Sequence, residues 1–240
     1  MTGSAWRAAP LISGVAGLGW VWAELAPQRA GFPDTDDPSV SLQFLAAHPG
    51  SHAMAGIWLM VAALALIATV LDLGRRFATD EAGGGAARTP PAAEYVRIIG
   101  ILAGALLFGM AVVRLSEGPV RYVQSLDQGW GETAYLVTQF VGVQGFAVGG
   151  LLLLALWIAG TAWLGAASGL VPRALAVLAL LPAVRIIGVL GPLGVEVEGA
   201  WILLMVAIPA AFGWVAILGT WQLVRPIAFS PKRIADPVPL

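Results

Sequence analysis

The chain has 240 residues, 58% of them hydrophobic and 11% charged, with a formal net charge of −1 and a mean hydropathy of +0.83. A soluble domain carries about one quarter charged residues, so this chain lacks the polar coat of a water-soluble fold, and the bilayer is the solvent that fits. It has no cysteine, which excludes disulfides, thiolate catalysis, thiolate zinc sites and iron–sulfur clusters.

A membrane helix needs about 20 mostly apolar residues. Six stretches supply them, at about 8–26, 53–73, 96–115, 134–163, 172–191 and 200–224. The first has only Arg7 ahead of it and is interrupted by Glu24 rather than followed by a small-residue cleavage site. It therefore reads as a membrane helix and not as a signal peptide. The connection 27–52 is polar, with Asp34, Asp36 and Asp37, and ends in His48-Pro49-Gly50-Ser51-His52. A spacing of four suits two metal ligands on a helical face. Pro49 and Gly50 break that turn, so the segment reads as a loop-to-helix junction and no metal is expected.

Asp72 and Arg76 are spaced as an i,i+4 pair at the end of the second span. The following stretch, 74–95, holds Gly83-Gly84-Gly85 and Pro90-Pro91 and reads as a flexible cytoplasmic linker. Gly100 and Gly104 in the third span, and Gly145 and Gly149 in the fourth, are small-xxx-small patterns that allow close helix packing. Packing within the chain, a homo-oligomer or a partner membrane protein would each use them. The fourth span is long enough to tilt or protrude. Pro182 and Arg185 interrupt the fifth. A five-span topology is the alternative and would put the C-terminus outside.

Sidedness follows the Lys/Arg distribution. With the N-terminus inside, nine of the thirteen basic residues fall on the cytoplasmic side, and Arg29 and Arg121 fall outside. The fold class expected is therefore an all-α polytopic bundle of six transmembrane helices, with both termini cytoplasmic, in a bacterial plasma membrane. Lys232 is the only lysine, in a polar tail, so a retinal Schiff base within the membrane is excluded. Tryptophans such as Trp20, Trp22, Trp58, Trp130 and Trp163 lie toward span ends, as interfacial belts do.

The same topology gathers Glu24, His52, Arg114, Gln139, Gln144 and Arg185 toward the outer leaflet. Intramembrane ionisable groups are costly and usually face the bundle interior in pairs. Glu24 is expected to pair with Arg114 or Arg185, and the cluster reads as a polar pocket for a small or lipid-like ligand. No phosphate loop, nucleophile elbow or His-Glu-x-x-His motif occurs, and no basic stripe suggests nucleic acid. The chain reads as non-enzymatic, without a cofactor, with membrane lipids as its surroundings. A small oligomeric transporter or channel, and an interaction subunit of a larger membrane complex, are the other readings.

Arg7 through Gly19, Arg97, Gly169-Leu170-Val171-Pro172-Arg173, and the segment from Ile208-Pro209 to Trp221 and Arg225 resemble the uncharacterised six-helix bacterial membrane proteins grouped as domain-of-unknown-function 4386. The resemblance implies the six-span topology and no substrate. It also implies acidic residues early in span 3 and within span 6, where this chain has Gly100 and Gly213.

Overall fold

The computed structural model describes residues 3–31, 37–48, 50, 52–80, 91–115, 117–190 and 200–224. All of their regular elements are helices. In hydrocarbon every backbone N–H and C=O must be satisfied internally, which is what a helix does. Helix α1 (Gly3–Arg29) is followed by the short α2 (Pro38–Ala47), then α3 (Ala53–Asp80) and α4 (Pro91–Arg114). The short α5 (Glu117–Leu126) leads into α6 (Gln128–Val137), which continues through a π-helix (Thr138–Gly145) into α7 (Phe146–Ser168). Helices α8 (Arg173–Leu190) and α9 (Ala200–Val224) complete the chain.

Six helical stretches are long and apolar enough to cross a membrane. The fifth span is complete despite Pro182, for α8 runs unbroken over 18 residues, about 27 Å at 1.5 Å per residue. The span expected at 134–163 is instead one continuous stretch of 41 residues, Gln128–Ser168. That is about 60 Å of helix, twice the hydrocarbon thickness. The connections 27–52 and 116–133 carry helices α2, α5 and the start of α6 where loops were expected. The linker expected at 74–95 is helical through Asp80 and from Pro91, and residues 81–90 lie outside the described residues.

The long helices pack as a closed ring in the order α1, α3, α4, α7, α8, α9 and back to α1. The seam between α1 and α9 closes it. A Cβ added to Gly14 would lie 2.3 Å from the Ala216 nitrogen, and one on Gly219 would lie 2.2 Å from the Leu11 nitrogen. These two helices are antiparallel neighbours, so the first and last spans begin and finish at the same end of the bundle. The opposite end carries α2, α5 and α6, which pack on one another as a cap.

The ring interior is largely apolar, with Ser13, Thr69 and Thr161 also buried in it. Leu66, Leu107, Trp157, Ile158 and Phe212 are each 1% exposed or less. Trp157 of α7 meets Trp214 of α9 edge-on at 6.5 Å, and the Trp214 indole donates to the Leu175 carbonyl of α8 at 2.8 Å. Trp20, placed by sequence in the interfacial belt, is buried and meets Phe212 edge-on at 5.9 Å. Trp22, Trp58, Trp130 and Trp163 are exposed, as belt residues are. Gly100 faces Trp157 and Val70, Gly104 faces Ile67, and Gly149 faces Leu106. Three of the four candidate docking glycines thus pack helices within the chain.

The cap helices begin on carboxylates. Asp37 accepts from the Ser39 backbone N–H at 2.8 Å, and Asp127 from that of Trp130 at 2.9 Å. Ser39, through its side chain and then its backbone N–H, holds the Asp37 carboxyl below the usual carboxylate range. An N-cap of this kind contributes about 1 kcal/mol. Asp127→Ala is expected to raise amide exchange over residues 128–137 roughly fivefold while leaving α8 and α9 unchanged. Unaltered exchange in α6 would show that the cap does not hold that helix.

Candidate functional site

The site is built where α1 and α4 meet the cap. Glu24 lies one turn beyond Trp20 on α1, and the Trp20 indole donates to its Oε1 at 3.0 Å. Arg114 is the last residue of α4, where the negative end of the helix dipole favours a cation. Its Nε donates to Glu24 Oε1 at 3.0 Å and its Nη2 to Oε2 at 2.9 Å. The two side chains are 13% and 21% exposed, so the pair is largely withdrawn from solvent. This is the parallel two-bond geometry that makes arginine–carboxylate pairs strong and directional. Both helices pack on α3, so the pair spans from one of its neighbours to the other.

Beside this pair lies a shallow, open cleft with about 20 Å³ of enclosed room. Leu42 and Leu45 of α2, Val120 of α5, and Val113 with Arg114 of α4 form three of its walls. The fourth runs along the long helix: Tyr135 on α6, then Thr138, Gln139 and Val143 in the π-helix. Short π segments inside α-helices recur at functional sites. Here one is eight residues long. Gly142 makes room within it, since a Cβ there would meet Val113 Cγ1 at 2.6 Å.

The six residues expected to cluster are only partly brought together. Glu24 and Arg114 bind each other, and Gln139 shares the cleft wall with Arg114. His52 is buried at the start of α3 and does not line the cleft. Gln144 is exposed and lies off the cleft. Arg185 is a correction to the expected placement. It is exposed on α8, with no ion pair among the described residues, and Glu24 is taken by Arg114. The packed face of α8 is Leu175, Ala179, Pro182, Ala183 and Ile186, which turns Arg185 away from the ring. Its position five residues from the helix end suits a side chain that reaches along the apolar surface toward head groups.

His48 stacks on Phe44 with ring centroids 4.1 Å apart, and its Nδ1 lies 3.1 Å from the Phe44 carbonyl. Among the described residues no three metal-ligating side chains converge. Sequence reasoning missed Tyr135 and Thr138. Their signal was present, because Tyr135, Thr138 and Gln139 fall at i, i+3 and i+4, one helical face. Asp72 and Arg76 form the expected ion pair at the other end of the bundle.

The arrangement offers hydrogen bonds and apolar contact to a guest. No family model matches the chain, and neither does any curated protein or solved structure.

Proposed function

We propose that the protein is a multi-pass protein of the bacterial plasma membrane, termini in the cytoplasm, that holds a lipid-like ligand in the cleft between its cap and α4. The single observation that carries this reading is the lining of the cleft. Apolar side chains make up most of it, and a few polar groups converge at one place, as ligand sites are usually composed. The cleft is shallow and open, with about 20 Å³ of enclosed room, well below a pocket that swallows a whole ligand. That suits a segment of a chain-like ligand with the rest extending outside. The sequence asymmetry of nine basic residues on the side of the termini against two on the other supports the cytoplasmic assignment of the termini.

The aromatic packing of Trp157, Trp214 and Phe212 fills the ring where a transport route would pass. Gly100, Gly104 and Gly149 are spent inside the chain, which weakens their use by a partner helix. Ligand binding is thus the reading best supported.

The test is native extraction in lipid particles followed by mass spectrometry of retained lipids. Wild type is expected to carry a defined lipid through purification. Gln139→Trp, which fills the cleft, is expected to lose it about tenfold or more, an affinity change of about 1.4 kcal/mol. Gln144→Trp, off the cleft, should retain it. Wild type with no enriched lipid, or equal retention by both variants, would overturn the proposal.

A further inference from the structure

We infer that the cleft selects an amphiphile with an uncharged head, a hydroxyl or carbonyl on a long hydrocarbon chain, and rejects anionic phospholipids. This rests on the ligand-binding reading above and names its substrate class. An arginine in the wall suggests an anion at first sight. The geometry points the other way, because the charge of Arg114 is already balanced. Glu24 takes two of its N–H groups in parallel, and Trp20 fixes Glu24 in turn. The wall as a whole is neutral.

An entering phosphate would meet a guanidinium whose charge Glu24 already balances. The pair itself is largely withdrawn from solvent, where like charges repel more strongly than in bulk water. Displacing Glu24 would leave a carboxylate unpaired at low exposure, a costly state. A neutral head incurs neither penalty.

The polar groups left for a guest are themselves neutral. Tyr135, Thr138 and Gln139 line the cleft, and none of their polar groups bonds to another side chain or to a carbonyl among the described residues. Thr138 is informative. Thr69, Thr133 and Thr220 each donate to the carbonyl four residues back, at 2.8, 2.9 and 3.0 Å. Thr138 does not, as the buried Thr161 does not, and the Thr138 hydroxyl stays available at the first turn of the π-helix. Two hydroxyls and one amide supply donors and acceptors together, the set that pairs with an alcohol or a ketone.

The experiment uses full-length protein in phosphatidylcholine vesicles with two photoreactive probes of identical acyl chain, a diacylglycerol and a phosphatidylglycerol. The diacylglycerol probe is expected to label peptides spanning 134–143. The triple variant Tyr135→Phe, Thr138→Val, Gln139→Leu should reduce that labelling about tenfold, or 1.4 kcal/mol. Phosphatidylglycerol should label lipid-facing peptides alone, at equal levels in both proteins. Glu24→Gln, which leaves the Arg114 charge unbalanced, should raise phosphatidylglycerol labelling of the cleft. Where that variant fails to fold, the triple variant decides. Labelling of 134–143 by phosphatidylglycerol in wild type, lost in the triple variant, would overturn the neutral-head inference while keeping the site. Absence of cleft labelling by both probes would overturn the site as well.

Discussion

Glu24→Gln is expected to destabilise the bundle by about 3 kcal/mol, and Arg114→Met by a similar amount, because each leaves a charge or its donors without the partner held in the fold. The expected value sits at the low end of the roughly 3–5 kcal/mol for broken buried pairs, since Arg114 is the last residue of α4 and can reach toward the interface once released. Surface pairs contribute about 0–1 kcal/mol. The exposures of 13% and 21% place this one outside that class. The telling variant is the double one, Glu24→Leu with Arg114→Met. It removes both charges and keeps volume, so it is expected to cost less than either single change. Reversible unfolding in mixed micelles measures all three. A double variant as damaging as the sum of the singles would mean that the two residues act separately, and the bond across α3 would not be holding α1 to α4. The prediction bears on function as well as stability, because the same pair sets the charge of the cleft.

The number of spans was legible because it depends on composition and length, two quantities that the bilayer fixes directly. The positions of the helices around the ring were not, because hydropathy gives depth and says nothing of azimuth. Arg185 shows the difference. Its height on α8, five residues from the helix end, follows from the span boundaries alone. Its direction was read as inward, on the rule that buried charges pair. The deciding pattern was Ala179, Pro182, Ala183 and Ile186 at i, i+3, i+4 and i+7, which marks the packed stripe and leaves Arg185 on the other side. The cap helices were hidden for a related reason. Residues 117–126 are polar and short, and a helix of that kind is stabilised by what it rests on rather than by its own propensity. The π-helix left no readable sign, since Thr138–Gly145 has ordinary residues for a membrane helix. Of the cleft, the Glu24–Arg114 pair and Gln139 were legible. The apolar walls were not, because they come from α2 and α5, where loops were expected.

Gly219→Ala is expected to be among the most damaging single-methyl additions in the chain, at about 3 kcal/mol or more, whereas Gly213→Ala and Gly188→Ala are expected to be near neutral. Overpacking ordinarily costs about 1–3 kcal/mol because side chains can yield. At Gly219 the obstacle is main chain: the new carbon would lie 2.2 Å from the Leu11 nitrogen and 2.7 Å from its Cα. A helix backbone yields only by moving the whole helix, and this contact closes the ring between the two ends of the chain. At Gly213 and Gly188 nothing lies within 4 Å, and alanine is the better helix former. Gly17 separates the two kinds of obstacle, because there the new carbon meets the Phe212 ring at 2.0 Å. Gly17→Ala should therefore cost little on top of Phe212→Ala, the ring having gone. Gly219→Ala should retain its full cost on top of Leu11→Ala, because the main chain remains. Thermal unfolding followed by size-exclusion chromatography in detergent reads each combination. If Gly219→Ala melts with Gly213→Ala, or if Leu11→Ala relieves it, then α1 and α9 do not touch backbone to backbone, and the ring has to close on another seam.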